Sequence, residues 1–199
     1  MRVPAEQMDD SEPAHSTRAA PPHARLAAET VLPNVETGVL YRSAQWRDAG
    51  LDEARICRAA EAAIWAATGD ESQEYELTVL LTSDAEARDL NLQWRGKDGP
   101  TNVLSFPLCS EAGQCGHLRL LGDVVLAYET VAGEARDSGL PLDDHATHLV
   151  VHGVLHLLGY DHQSDAEADI MENLECKVLA GLGIADPYAL ARRSQSEAV

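Results

Sequence analysis

Positive charge is scarce in this sequence: 15 Lys and Arg stand against 33 Asp and Glu, for a formal charge of −18 over 199 residues. Phosphate affinity normally comes from Lys and Arg that displace counterions, so this balance excludes a general nucleic-acid binder and confines any such contact to a local pocket. No two of the four cysteines, Cys57, Cys109, Cys115 and Cys176, form a CxxC pair. A chain of this length has no need of a disulfide framework, so they are expected as reduced thiols. Cys109 and Cys115 flank a short loop beside His117, but their spacing matches no common zinc pattern. The amino terminus lacks a basic segment followed by an apolar stretch, and no run of about 18 apolar residues occurs, which excludes a spanning helix and predicts a cytoplasmic protein. No internal repeat is visible.

What remains is enough for one domain with an adequate core, and too little for two catalytic domains. Residues 1–28 mix Pro, Ala, His, Ser and acids without apolar periodicity and are expected as a disordered polar tail. Residues 29–192 are expected to form the domain, and 193–199 a flexible tail. Val39 to Tyr41 reads as the beginning of a strand. Helical spacing of Ile56, Ala59, Ala60, Ala63 and Ile64 predicts a helix from Leu51 to about Thr68, ended by Gly69. Tyr75 to Thr82 reads as a strand, and Ser83 with Glu86 as a capping box opening a helix through Trp94. Arg95 to Thr101 is expected as a loop, Val103 to Phe106 and Leu118 to Ala127 as strands, and Tyr128 to Ser138 as a helix. A long helix is predicted from Asp143 to Leu158, and a last one capped by Ser164 and Glu167 and ending near Gly181. The pattern predicts an α/β or α+β fold: a single domain in which a small mixed β-sheet packs with several helices around a central histidine-bearing helix.

His145, His148, His152 and His156 lie three, four and four residues apart, on one stripe of that helix. Burying several imidazoles without partners is costly, so a shared ligand is the economical reading. Rings one turn apart, about 6 Å along the axis, can share a metal, whereas His148 and His156, about 12 Å apart, cannot. Gly159 gives the chain a place to turn back and bring His162 to the same ion. The spacing in HGVLHLLGYDH is the zinc-binding frame of the metzincin proteases, with one difference. Where the protease frame has its general-base glutamate, this chain has Gly153. His152, His156 and His162 are therefore expected to hold one Zn2+ per chain with a position open to water, without the base that peptide hydrolysis needs. His145 is expected to pack or cap, while His148 is a candidate to contact substrate.

Together with HGVLHLLGYDH, the stretches LNLQWRGKDGPTNVLSFP (residues 90–107) and LLGDVVLA (residues 120–127) resemble the YbeY family closely, and the likeness extends from about Tyr75 to Tyr188. The resemblance implies a single-domain α/β fold and a zinc-dependent endoribonuclease. Its implied substrate is single-stranded RNA, cleaved in maturing the 3′ end of small-subunit ribosomal RNA, in ribosomal RNA processing and in ribosome quality control. It also implies the small ribosomal subunit and assembly proteins as partners, with no membrane and no DNA. By the same match, the metal ligands fall on His152, His156 and His162, and the functionally important arginine falls on Arg95. A guanidinium can hold a phosphate through two parallel hydrogen bonds, so Arg95 is the expected catalytic and substrate-binding cation, with Lys97 adding charge nearby. Asn102 is expected to cap a turn and Phe106 to lie in the core. The competing readings are a metalloprotease-like hydrolase, with Asp161 or another carboxylate as base, and a non-catalytic ribosome-assembly factor with structural zinc.

Overall fold

The computed structural model describes residues 34–70, 72–99, 101–108, 114, 115 and 117–189. The tails expected at 1–28 and 193–199, and Cys109 with the side chain of Cys115, lie outside the described residues.

A mixed sheet forms the frame. Its strands are β1 (Asn34–Tyr41), β2 (Glu74–Thr82), β3 (Val103–Pro107), the two-residue β4 (Gln114–Cys115) and β5 (Leu118–Ala127). The order is β1-β2-β5-β3, with β1 and β5 parallel to β2, β3 antiparallel to β5, and β4 paired with the start of β5. Alternation sends Tyr75, Leu77, Val79 and Leu81 of β2 into the core.

The helices are α1 (Ala44–Asp48), α2 (Glu53–Thr68), α3 (Asp84–Arg95), α4 (Tyr128–Asp137), α5 (Leu142–Leu157) and α6 (Asp165–Gly181). α5 is the centre of the molecule and touches α2, α4, α6, β3 and β5. Its buried residues, among them Leu149, Val150, Val151, Val154, Leu155 and Leu157, occupy almost every direction except the histidine stripe, as befits a helix enclosed on most sides. The expected central histidine-bearing helix on a small mixed sheet is what the structure shows.

Three expectations change in detail, and one short helix, α1, was not foreseen. β1 ends at Tyr41 rather than beginning at Val39. Its inward residues Val35, Thr37, Val39 and Tyr41 alternate with Asn34, Glu36, Gly38 and an exposed Leu40, a weak strand signature in its first half. α1 carries no periodic signal and is held by Trp46, fully buried, whose indole N–H donates to the Thr82 carbonyl at 2.9 Å and whose ring meets Tyr128 edge-on. Ser83 does cap α3, accepting from the Glu86 N–H, but the Glu86 carboxylate takes the Thr82 hydroxyl instead of closing the box. Arg95, expected in a loop, is the last residue of α3, which runs on until Gly96 turns left-handed at φ 67°. The capping box at Ser164 and Glu167 is complete.

Gly153 marks the closest approach of α5 to the sheet. A Cβ there would lie 2.6 Å from Val124 Cγ1 and 3.1 Å from Ser105 Oγ, and the Ser105 hydroxyl already donates to the Gly153 carbonyl at 3.1 Å. The position therefore has no room for any side chain, least of all the glutamate of the protease frame. Gly153→Ala is expected to destabilise the fold by about 1–3 kcal/mol, read by denaturation of chelator-treated protein so that metal loss does not contribute. An unchanged transition would show that the α5–sheet contact is looser than described.

Candidate metal centre

His152 and His156 project from successive turns of α5. Gly159, at φ 96°, then reverses the chain immediately past the helix end, and the Asp161 carboxylate shapes the turn that follows by accepting from the His162 N–H at 2.8 Å. The reversal brings His162 back: its ring centroid lies 5.6 Å from that of His152 and 5.0 Å from that of His156. One ligand atom from each of the three rings lies within 4.8 Å of the other two.

The remaining ring nitrogens decide what those atoms can do. His156 Nδ1 faces the Tyr160 carbonyl at 2.9 Å, and a carbonyl only accepts, so Nδ1 carries the proton. His152 Nδ1 faces Glu175 Oε1 at 2.8 Å and donates to it in the same way. Each ring thus turns a bare Nε2 toward the other, 3.1 Å apart. Two bare lone pairs at that separation repel unless a proton or a metal ion lies between them, and zinc held by two imidazoles at about 2.1 Å in tetrahedral geometry places the nitrogens roughly 3.4 Å apart. The donor set therefore fits a divalent metal, with His162 supplying the third nitrogen from an exposed turn. Burial, reinforced by the neighbouring His152, holds His156 below the ordinary imidazole range, so its Nε2 is available at neutral pH.

Glu175 on α6 is the residue that sequence reasoning missed. It is fully buried, accepts from His152 and from Tyr188 (Oη to Oε2, 2.5 Å), and pairs with His148 Nε2 at 2.9 Å. Burial opposes its ionisation, but the His148 and His152 contacts outweigh that and hold the carboxyl down at about 2. The only advance signal was a lone acid on the apolar face of α6, beside Met171, Val178 and Leu179.

A cleft of about 380 Å³ opens over the three histidines and is lined by Arg95, Thr101, Asn102, Val103, Ser105, Asp161 and Gln163 as well. The structure thus brings Arg95 together with His152, His156 and His162. Lys97 and His148 are not among the lining residues: Lys97 lies exposed beyond the helix end, and His148 sits one turn earlier on Glu175. His145 pairs with Glu134 at 2.8 Å, and Asn102 grips the same carboxylate through Nδ2 while its Oδ1 caps the Val103 N–H. Phe106 is half-buried on the sheet face away from Ser105. Asp161 has both oxygens engaged, by the His162 N–H and the Gln163 amide, which hold it below the usual carboxylate range and make it a weak base.

Three convergent histidines able to hold a metal, with an arginine lining the same cleft, on a mixed sheet, define an α/β protein with a candidate metal centre. The family model for Endoribonuclease YbeY matches residues 42–183, and the chain belongs to that family. It is 49% identical over 155 residues to Endoribonuclease YbeY of Rhodopseudomonas palustris strain BisB18, covering 77% of this chain and 92% of the relative. It is 44% identical over 185 residues to the Endoribonuclease YbeY of Nitrobacter winogradskyi, covering 92% of this chain and 95% of the relative. A solution structure of TM1509 from Thermotoga maritima aligns with 82% of this chain and 95% of its own at 24% identity, with a TM-score of 0.46.

Replacing Glu175 by Gln removes the charge and one of the two acceptor oxygens that His148, His152 and Tyr188 share, and so weakens the hold on His152. The expected result is a fall in metal affinity of about 10- to 100-fold with the fold retained, measured by competition against a chromophoric chelator. Parent-like affinity would show that Glu175 only packs.

Proposed function

We propose that this protein is a zinc-dependent endoribonuclease specific for single strands, acting in the cytoplasm on ribosomal RNA. Its tasks are 3′-end maturation of small-subunit ribosomal RNA, ribosomal RNA processing and ribosome quality control, in contact with the small subunit and assembly proteins. The observation that carries this reading is the juxtaposition of Arg95 with the converging nitrogens of His152, His156 and His162 in one cleft. Membership of the family supports the reaction and the substrate class. Among the described residues no helix is long and apolar enough to cross a membrane.

When bound, the metal supplies Lewis acidity toward a phosphoryl oxygen and makes water more acidic. The protein's own side chains do the rest. Arg95, on the last turn of α3 and exposed, can take two oxygens of the scissile phosphate in a bidentate grip and stabilise the charge that grows on them. Thr101 and Ser105 offer hydroxyls, and Gln163 an amide, to sugar or base on the cleft walls. His152 and His156 are half-buried while His162 is exposed, so a phosphate has to come down to the two recessed rings, which an unpaired strand does more readily than a stacked duplex. His148 has no direct role in this account; it holds Glu175, which in turn orients His152. Lys97 contributes only to the field at the mouth.

Peptide hydrolysis is disfavoured twice over. Gly153 leaves no space for the protease glutamate, and Asp161 is tied into its turn.

The test is cleavage of a single-stranded RNA by zinc-loaded protein. Arg95→Ala is expected to lower the rate by about 10² to 10³ with metal content unchanged, and His156→Ala to abolish both metal binding and cleavage. If both variants cut as fast as the parent, the nuclease is a contaminant. If neither they nor the parent cut, yet a zinc-binding dead variant restores ribosome maturation in cells lacking the protein, the molecule is an assembly factor.

A further inference from the structure

Trp94 stands one residue before Arg95, and 66% of it is exposed, the most of any large hydrophobic residue among those described. Its ring meets Phe106 edge-on, with centroids 6.3 Å apart and planes at 61°. Phe106 in turn follows Ser105, whose side chain faces α5 and lines the cleft. β3 is the outermost strand on its side of the sheet, so alternation places Ser105 on the cleft side of that edge and Phe106 on the other. Trp94 and Phe106 do not line the cleft themselves, but each is the covalent neighbour of a residue that does, Arg95 and Ser105, so the aromatic pair lies close beside it.

From this placement we infer that Trp94 is a stacking platform for a nucleobase next to the phosphate held at Arg95, with Phe106 fixing the plane of the ring. The inference rests on the reading of the cleft as an RNA-cleaving site. The charge of the molecule gives the reason for such a platform. At −18 overall, and with Arg95 the one cation among the residues lining the cleft, the protein has little electrostatic hold on a polyanion. Stacking supplies affinity that needs no positive charge, tolerates any base, and is available only to a strand whose bases are unpaired. The same contact therefore accounts for affinity in an acidic protein and for a preference for single strands. Packing within the fold does not explain the residue: α3 buries Ala87 and Asn91, and the Phe106 contact leaves most of the indole bare.

The experiment compares kcat and KM of the zinc-loaded parent, Trp94→Ala and Trp94→Phe on a single-stranded RNA oligonucleotide with one cleavage site. The same oligonucleotide is tested with a single abasic nucleotide on either side of that site. Trp94→Ala is expected to raise KM about tenfold with kcat little changed, and Trp94→Phe to recover most of the loss. On the oligonucleotide abasic at the stacked position, parent and Trp94→Ala should be equally poor. If Trp94→Ala keeps the parent's KM, or loses as much on every abasic substrate as on the intact one, the platform does not exist and the indole serves another surface, such as one for a protein. If the parent itself does not cleave, the reading of the cleft fails first and the platform falls with it.

Discussion

The centre depends on how two imidazoles are held from behind. A neutral histidine has one donor and one acceptor nitrogen, and whichever nitrogen the protein engages fixes the character of the other. Here the Tyr160 carbonyl and the Glu175 carboxylate each claim an Nδ1 proton, so both Nε2 atoms face the cleft as lone pairs. Those two acceptors come from different parts of the chain, the turn after α5 and the middle of α6, so the orientation of the two rings draws on both. Tyr188, near the end of the described residues, adds a third hand on Glu175. The orientation of the candidate ligands is thus coupled to the packing of the last third of the domain.

The second constraint is the closeness of α5 to the sheet. Placing Gly153 against Val124 and Ser105 draws the histidine-bearing helix down onto β5 and β3, and Val103 and Ser105 of β3 line the cleft. The same contact removes the place where a protease of this frame keeps its base. One small residue therefore permits the close approach of α5 to the sheet and leaves no room for a glutamate at that position. Arg95 reaches the same cleft from the last turn of α3, which Gly96 ends in a left-handed turn.

The parts of this arrangement that could be read in the sequence are those that repeat at a helical or strand period. The histidine stripe, the Gly159 reversal and the returning His162 are local in sequence, and their geometry follows from rise per residue and from one glycine. The helices α2, α3, α5 and α6 declared themselves through caps and apolar spacing. α1 did not, because a single turn held by one buried tryptophan has no period to display. The first half of β1 was hidden by Asn34, Glu36 and Gly38, whose outward positions tolerate poor strand formers. Glu175 was missed for a different reason: its place on the apolar face of α6 marks it as buried, but its role is set by three partners 13 to 27 residues away. Arg95 could be placed through the family resemblance, but its position across the cleft needed the tertiary fold.

X-ray absorption at the zinc edge on protein loaded with one equivalent tests the central claim most directly. The account predicts a first shell of nitrogen and oxygen only, with the outer-shell scattering of three imidazoles and loss of that pattern when His152, His156 and His162 are replaced. Sulfur in the first shell, or failure to retain a stoichiometric metal, would contradict it.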